Sequence, residues 1–371
     1  MLPIFNFSVT RNRFVNKPLK FEMVTVTPSN SPIEMDVIEP KESWLRSWLP
    51  FLRWTPTSPY KLKEAEEKLL QFVKTESKGF YVNIGTVNGE ECRIWTRKFG
   101  PEKSVKVPLV MIHGMGAGVA MFALNFDSLA QERLVYAIDL PGFARSSRVN
   151  FSSSPAEIEE QYVTCIDQWR RGVGLEKMNL LGHSFGGHLT ALYALKYPQH
   201  FNLAILADPW GMTERPAEVV PRRNIPIWVK VLGSVLQHFN PLWGLRASGP
   251  AGPWLVTRMR PDLMRKYEDL LGTGKSSLIS EYLFHCNGHN PTGETAFHRW
   301  GNKFILKIPT ASFIRLMSGF GWANNPILPR LKNLDKNGKT RNCISSLFSY
   351  FYHSANESAV WLQVLDDTLA S

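Results

Sequence analysis

The segment from residue 178 to residue 198, MNLLGHSFGGHLTALYALKYP, constrains the fold more than any other part of the chain. It starts with a short apolar run, passes through closely spaced glycines and ends in a pattern of helical period. An uninterrupted apolar run is typical of a parallel strand that is buried on both faces. The glycines permit a turn so sharp that the helix packs directly on the strand it follows. The segment therefore predicts a strand–turn–helix unit inside an α/β sheet.

Further apolar runs flank this unit on both sides. The predicted strands are 93–99 (RIWTRKF, an outer strand), 107–112 (VPLVMI), 133–143 (RLVYAIDLPGF) and 202–210 (NLAILADPW). A helical pattern, EIEEQYVTCIDQWRRGVG, separates two of these strands. Strands that alternate with helices predict a mostly parallel, doubly wound α/β sheet.

Changes in composition divide the chain into five predicted parts. They are a disordered leader (1–40), a Trp-rich lipid-contact segment with a following helix (41–78), an α/β core (79–210), a helical cap (211–318) and a divergent C-terminal part (319–371). The cap is predicted because a Pro- and Trp-rich insertion follows the end of a sheet strand, where it covers a ligand crevice. No strand is recognised in the C-terminal part, so strands of the sheet are expected to be missing or altered there.

The predicted Trp-rich segment, KESWLRSWLPFLRW, places Trp44, Trp48 and several leucines on one helical face, and Trp54 follows. Tryptophan between cations suits a water–lipid interface, because indole is apolar apart from its N–H group. Packing of these side chains against the domain is the alternative. The next helix is predicted to start after the capping residue Ser58 and to end at Gly79.

Composition narrows the class of protein. Of 371 residues 44% are hydrophobic and 20% are charged, so the chain can bury a core. The net charge of +11 favours an anionic partner, yet no basic run alternates with stacking aromatic residues, which argues against nucleic acid. Four widely spaced cysteines predict no metal site and no disulfide framework, and no motif predicts a cofactor. With no long apolar run and no secretory signal, we expect a cytoplasmic monomer.

Gly182-His183-Ser184-Phe185-Gly186 matches G-x-S-x-G, the turn that exposes a nucleophilic serine above a parallel sheet. We therefore predict Ser184 as a nucleophile, with Gly182 and Gly186 shaping the elbow. Acyl transfer builds negative charge on a carbonyl oxygen, which backbone N–H groups stabilise.

One of these donors is predicted to be Phe185, which follows the nucleophile, and the other Met115 in the loop IHGMGAG. His113 and Gly114 are expected to shape that loop. A glycine-rich loop with no catalytic role is the alternative.

A base and an orienting acid should follow Ser184 in chain order, at the ends of later strands. Asp208, which ends the next predicted strand, is a candidate acid, and His353 is a candidate base. The acids after His353 come in the wrong order for the triad. His183 and His188 flank the serine in sequence and are expected to serve as packing residues.

Twelve motifs between about residues 40 and 330 resemble the family of α/β-hydrolase-domain-containing proteins 4 and 5. They are SWLRSWLPFLRWTPTS, LKEAEEKLL, PLVMIHGMGAG, ALNFDSLA, YAIDLPGFARSS, LLGHSFGGHL, DPWGMTERP, FNPLWGLRASGPAGPWLV, RMRPD, EYLFHCN, PTGETAF and FGWANNP. The resemblance implies an α/β-hydrolase fold. Twenty-two residues after GETAF and everything after ILPRL depart from the family pattern, including its Gly/His segment.

The resemblance also implies lipid chemistry. One member is similar to a serine hydrolase of lysophospholipids and N-acyl phospholipids. Another has asparagine at the position of Ser184 and activates a triacylglycerol lipase on lipid droplets, and lysophosphatidic acid acyltransferase activity is assigned to the family. The implied partners are a phospholipid or neutral-lipid surface, a triacylglycerol lipase and a lipid-droplet coat protein. The implied location is on lipid droplets or intracellular membranes, mitochondria included. The function implied by the resemblance is therefore that of a hydrolase or acyltransferase. The alternative is that of a non-catalytic lipase cofactor.

Overall fold

A computed structural model of the chain describes residues 57–212, 242–301, 326–327, 329–330 and 344–347.

Several sequence predictions lie outside these residues: the leader, the lipid-contact tryptophans Trp44, Trp48 and Trp54, the first part of the cap and the candidate base His353.

The described elements alternate between strands and helices up to the cap, as the sequence predicts. The strands are β1 (Ser77–Val87), β2 (Glu90–Phe99), β3 (Leu109–Ile112), β4 (Val135–Ile138), β5 (Met178–His183), β6 (Phe201–Ala207) and β7 (Ile344–Leu347). The α-helices are α1 (Pro59–Leu70), α2 (Ala123–Leu129), α3 (Pro155–Gly172), α4 (Phe185–Lys196), α5 (Trp243–Ala247), α6 (Gly252–Met259), α7 (Pro261–Leu271), α8 (Ser277–Gly288) and α9 (Thr292–Trp300).

The strands form one sheet in the order β1-β2-β4-β3-β5-β6-β7. Strand β2 is antiparallel to both of its neighbours, and β4, β3, β5, β6 and β7 are parallel. The register pairs Ile112 with Gly182, and His183 with Ala207. Strands β3, β5 and β6 therefore end at the same edge, and the residues after them meet there.

The central strands are apolar throughout because both faces of the sheet are covered. In β3, Leu109 and Met111 belong to one hydrophobic core, and Val110 and Ile112 belong to the other. Helices α3, α4 and α9 cover the second core, whereas α1, α2 and the cap helices α5 to α8 cover the first. The predicted doubly wound α/β architecture is confirmed.

Helix α1 begins where the sequence predicts, since the Ser58 hydroxyl accepts a hydrogen bond from the backbone N–H of Lys61. The predicted end at Gly79 is wrong. The helix stops at Leu70, and the N–H of Thr75 then donates to the Asp127 carboxylate at 2.8 Å, which leads the chain into β1. Gly79 belongs to β1, where a β-carbon would lie 2.6 Å from the Trp95 ring.

The C-terminal part contributes a strand that the sequence pattern did not indicate. Strand β7 pairs in parallel with β6 and extends the sheet beyond it. Its sequence, ISSL, is only four residues long and half polar, so no apolar run marks it. Parallel pairing across so long a connection is a tertiary contact, which local pattern does not reveal.

The described part of the cap, helices α5 to α9, packs on the loops at the carboxyl ends of the strands. The Tyr267 hydroxyl on α7 donates to the carbonyl of Met121 at 2.5 Å, and the Tyr282 hydroxyl on α8 accepts from the N–H of Ala120 at 3.2 Å. These bonds hold the cap above the core. Within the described ranges, none of the helices combines the length and apolar character needed to cross a bilayer.

Candidate active site

Ser184 lies at the junction of β5 and α4, in a backbone conformation that few residues other than glycine adopt. Its φ is +52° and its ψ is −112°. The backbone N–H of Ser184 donates to the carbonyl of Ala207 at 2.9 Å, and its carbonyl accepts from the N–H of Trp210 at 3.0 Å. Such a strained conformation costs about 1–3 kcal/mol and persists only where its surroundings hold it. Here the neighbouring strand and the residues after it fix the serine at the sheet edge.

The glycines around Ser184 make room for the turn. A β-carbon at Gly182 would collide with the carbonyl of Gly186, and one at Gly186 would lie 2.6 Å from the carbonyl oxygen of His113. A β-carbon at Gly187 would lie 2.9 Å from the carbonyl oxygen of Gly182. The residues predicted to shape the elbow are therefore those at which a side chain has no space.

The loop after β3 passes directly beside Ser184. A β-carbon at Gly114 would lie 3.1 Å from Ser184 Cβ. Among the described residues, no acceptor binds the backbone N–H of either Met115 or Phe185. Phe185 is the first residue of α4, whose opening N–H groups have no partner within the helix. The two predicted oxyanion donors thus flank the serine from two different segments.

His113 holds this loop in place. Its Nε2 accepts from the N–H of Leu140 at 3.0 Å, so its Nδ1 carries the proton and donates to the carbonyl of Gly114 at 2.7 Å. Burial lowers the pKa of His113 to about 4, which keeps the ring neutral at physiological pH. Both ring nitrogens are thus occupied, which fits the predicted role in shaping the loop.

The histidines next to Ser184 are also neutral, with His188 fully buried and His183 partly buried. Burial and the charge of Arg260 lower the pKa of His183 to about 4. Burial lowers the pKa of His188 to about 3, although its Nδ1 lies 3.0 Å from the carbonyl oxygen of Trp210. In the described ranges, no histidine nitrogen forms a hydrogen bond with the Ser184 hydroxyl.

Asp208 follows β6 at the edge where Ser184 lies. It adopts a φ of +43°, and its side chain is exposed. Partial desolvation raises the pKa of this carboxyl, and the positive charge of Lys266 on α7 partly offsets the effect. The structure therefore brings together Ser184, Met115, Phe185 and Asp208, and it places Lys266 of helix α7 near Asp208.

Two residues that support the loop after β3 were not predicted from the sequence. Asn287 on α8 donates from Nδ2 to the carbonyl of Gly116 at 2.7 Å. Asp139, fully buried after β4, accepts from the N–H of Val119 at 2.7 Å. Asp139 could have been identified as a polar residue that ends an apolar strand, as Asp208 was. Asn287 carries no such signal, because it lies far along the chain from the residue it binds.

Asp139 has an unusual electrostatic environment. Its burial, followed by the nearby negative charge of Glu66, raises the pKa of Asp139 to about 8. Glu66 is itself buried and forms ion pairs with Arg97 at 2.9 Å and with Arg145 at 3.0 Å. This carboxylate–guanidinium cluster ties α1 to β2 and to the loop that follows β4.

Comparisons with known proteins show the family of this chain. Residues 107–260 match a family model described as alpha/beta hydrolase fold. The human 1-acylglycerol-3-phosphate O-acyltransferase ABHD5 is 46% identical over 275 residues, which cover 74% of this chain and 72% of that protein. The human (lyso)-N-acylphosphatidylethanolamine lipase is 42% identical over 301 residues, which cover 81% of each. The alignment with the crystal structure of a membrane phospholipase A, a bacterial virulence factor, covers 88% of this chain and 96% of that protein's chain. Its TM-score is 0.49 and the sequence identity is 17%.

Proposed function

Because the chain belongs to the α/β-hydrolase family, in the lipid-handling branch of α/β-hydrolase-domain-containing proteins 4 and 5, we propose that it is a serine acyl hydrolase or acyltransferase. Its substrates are lysophospholipids and related phospholipids. The observation that carries the proposal is the strained conformation of Ser184 beside two backbone N–H groups without acceptors. An oxyanion site of this kind contributes about 3–4 kcal/mol per donor to stabilising the transition state.

In the proposed reaction, Ser184 Oγ attacks the ester carbonyl carbon and loses its proton to a base. Negative charge develops on the carbonyl oxygen, where the N–H groups of Met115 and Phe185 stabilise it. The C–O bond of the ester then breaks, and the leaving alcohol takes the proton. Water resolves the acyl-enzyme in hydrolysis, whereas the hydroxyl group of a lysophospholipid resolves it in acyl transfer.

For the proton transfer we propose Asp208 as the orienting acid and His353 as the base. Asp208 is supported by its position at the sheet edge, directly after the residue that binds the Ser184 N–H. His353 lies outside the described residues. We expect His353→Gln and Asp208→Asn each to slow hydrolysis by several orders of magnitude. His200→Gln, remote from this edge at the start of β6, is the matched control, and unchanged rates in both site variants would reject the pair.

A fluorophosphonate probe tests the nucleophile directly, since it labels an activated serine. We expect labelling of the wild type and none of Ser184→Ala. Ser277→Ala, an exposed serine at the start of α8, should label like the wild type. An unlabelled wild type would favour the alternative, a non-catalytic lipid-surface protein that activates a triacylglycerol lipase.

Wild-type enzyme that has not been treated with the probe can then be given lysophosphatidic acid with and without an acyl-CoA donor. Release of free fatty acid identifies hydrolysis, and formation of phosphatidic acid identifies acyl transfer. These products also decide which activity the chain shares with each of its relatives.

We further propose that the chain acts on the cytoplasmic side of lipid droplets or intracellular membranes, mitochondria included. The net charge of +11 and the predicted contacts of Trp44, Trp48 and Trp54 support this location. Flotation of Trp44→Ala/Trp48→Ala with vesicles tests it, and flotation equal to that of the wild type would reject this anchor. A triacylglycerol lipase and a lipid-droplet coat protein are the protein partners proposed for this surface.

A further inference from the structure

Two tryptophans stand out on the cap. Trp243, on α5, exposes 54% of its surface, and Trp254, on α6, exposes 66%. They are the most exposed of the described phenylalanine, tyrosine and tryptophan residues. An indole contributes a large apolar area, so leaving two of them in water forgoes substantial hydrophobic stabilisation.

Both tryptophans lie on the sides of their helices opposite to residues that are buried by packing. Leu245, two residues after Trp243, is buried, and so is Val256, two residues after Trp254. Residues two apart on a helix lie on nearly opposite sides. The buried face of α6 lies against α8, where a β-carbon at Gly252 would overlap the ring of Phe284. The indoles are therefore not part of the core of the cap.

The segment that carries both tryptophans has a small positive net charge. From the start of α5 to the end of α7, residues 243–271 include four arginines and one lysine against three acidic residues, Asp262, Glu268 and Asp269. Arg246 is paired with Glu294 and Arg260 with Asp262.

The other two arginines, Arg258 and Arg265, are exposed and form no ion pair within the described part of the chain. Arg258 lies four residues after Trp254 and therefore on the same side of α6. An exposed indole and a guanidinium group on one side of a helix complement a surface that offers both apolar contact and negative charge.

Helix α7, which follows the second of these tryptophans in the chain, also lies near the candidate active site. Arg265 lies on α7 next to Lys266, whose charge acts on both His183 and Asp208 at the sheet edge. Apolar anchors with flanking cations are the arrangement expected of a protein that binds a lipid interface.

We propose that Trp243, Trp254, Arg258 and Arg265 form a cap tryptophan surface that binds anionic phospholipid surfaces. The indoles enter the headgroup region, and the guanidinium groups bind lipid phosphates and carboxylates. The surface is separate from the predicted segment that contains Trp44 and Trp48. It goes beyond the proposed function, because lipid binding requires no active nucleophile.

Vesicle flotation of the full chain tests the proposal, with Ser184→Ala as the parent protein so that no lipid is consumed. The vesicles are phosphatidylcholine alone or phosphatidylcholine with phosphatidylserine. We expect Trp243→Ala/Trp254→Ala to lower the partition coefficient at least about tenfold on both. Arg258→Glu/Arg265→Glu should lower it only on the vesicles with phosphatidylserine.

Tyr60→Ala is the control, since it removes an exposed aromatic side chain from α1 and should float like the parent. Circular dichroism establishes that each variant is folded. The proposal is overturned if the parent does not float, or if the folded tryptophan variant floats like the parent. It is also overturned if that variant only dissociates a dimer in size-exclusion chromatography, which would make the surface a contact between two copies.

Discussion

A methyl group at Gly186 has no space, and this makes Gly186→Ala a direct test of the elbow. The added β-carbon would lie 2.6 Å from the carbonyl oxygen of His113 and would overlap the carbonyl of Ile112. Both carbonyls belong to the end of β3, which is paired with β4 on one side and β5 on the other. The obstacle is backbone in the middle of a sheet, so it cannot move aside as a side chain would.

Overpacking of a well-packed site typically costs about 1–3 kcal/mol. Because backbone atoms block the new methyl group, we expect Gly186→Ala to lower the free energy of unfolding by about 3 kcal/mol. Helix α4 would also shift and carry Ser184 away from Met115. The matched control is Gly244→Ala on α5, where no atom lies within 4 Å of the new β-carbon. Alanine is the better helix former, so this variant should be stabilised by up to about 1 kcal/mol.

Urea unfolding followed by circular dichroism measures the free energy, and the rate of fluorophosphonate labelling reports the position of Ser184. We expect Gly186→Ala to lower both the free energy of unfolding and the rate of labelling strongly, and Gly244→Ala to lower neither. The reasoning is refuted if Gly186→Ala unfolds within about 0.5 kcal/mol of the wild type, the range of neutral surface changes, and labels at the wild-type rate.

Three further predictions concern protonation, the loop after β3 and a buried charge. His113 and His183 have a pKa of about 4 in the folded chain and about 6.5 when unfolded, so acid favours unfolding. Each histidine contributes stability that is present above about pH 6.5 and lost as the pH falls towards 4. The loss in the free energy of unfolding is up to about 3 kcal/mol for each histidine, and urea unfolding across that pH range measures it. Asn287→Ala removes the hydrogen bond to Gly116 and should slow acylation of Ser184 about tenfold, or about 1.4 kcal/mol in the barrier, as stopped-flow labelling would show. Glu66→Ala leaves buried guanidinium groups without a carboxylate and should lower the free energy of unfolding by about 3–5 kcal/mol.

Exposed residues of the same types provide the controls. Asn83→Ala removes an amide at the surface and should not slow acylation as Asn287→Ala does. Glu102→Ala removes a carboxylate at the surface and should not lower the free energy of unfolding as Glu66→Ala does. A stability that is flat between pH 6.5 and 4 would contradict the neutral buried histidines. An unchanged acylation rate in Asn287→Ala would show that the cap does not position the loop.

The sequence predicted those elements whose signal is local. Strands β3, β4, β5 and β6 were predicted because each is an apolar run with both faces buried. Strand β1 was missed because its outer face is exposed, which leaves polar residues at alternate positions, and because it directly follows a helix. Strand β7 was missed because four residues are too few to form a pattern.

The candidate site likewise has features that the sequence predicts and features that it does not. Ser184 and its glycines lie within five residues, so the motif alone predicts the turn that the structure shows. The support for the loop after β3 was not predictable, because Asn287 reaches Gly116 across 171 positions of sequence. The tautomer of His113 likewise depends on Leu140, which comes from a different strand end. Such contacts are set by tertiary packing.

The geometry at position 184 is held by backbone atoms alone: the pairing with Ala207, the carbonyl bond from Trp210 and the glycines that clear the turn. No neighbouring side chain has to recognise the serine for the elbow to form. The residue at this position can therefore be exchanged without rebuilding the scaffold, because the same backbone bonds would hold its successor in the conformation of Ser184. A lineage with this fold can thus lose or regain a nucleophile by one substitution at little cost in stability. Enzymes and non-catalytic lipid-binding proteins can then diverge from the same ancestor while their surfaces stay intact.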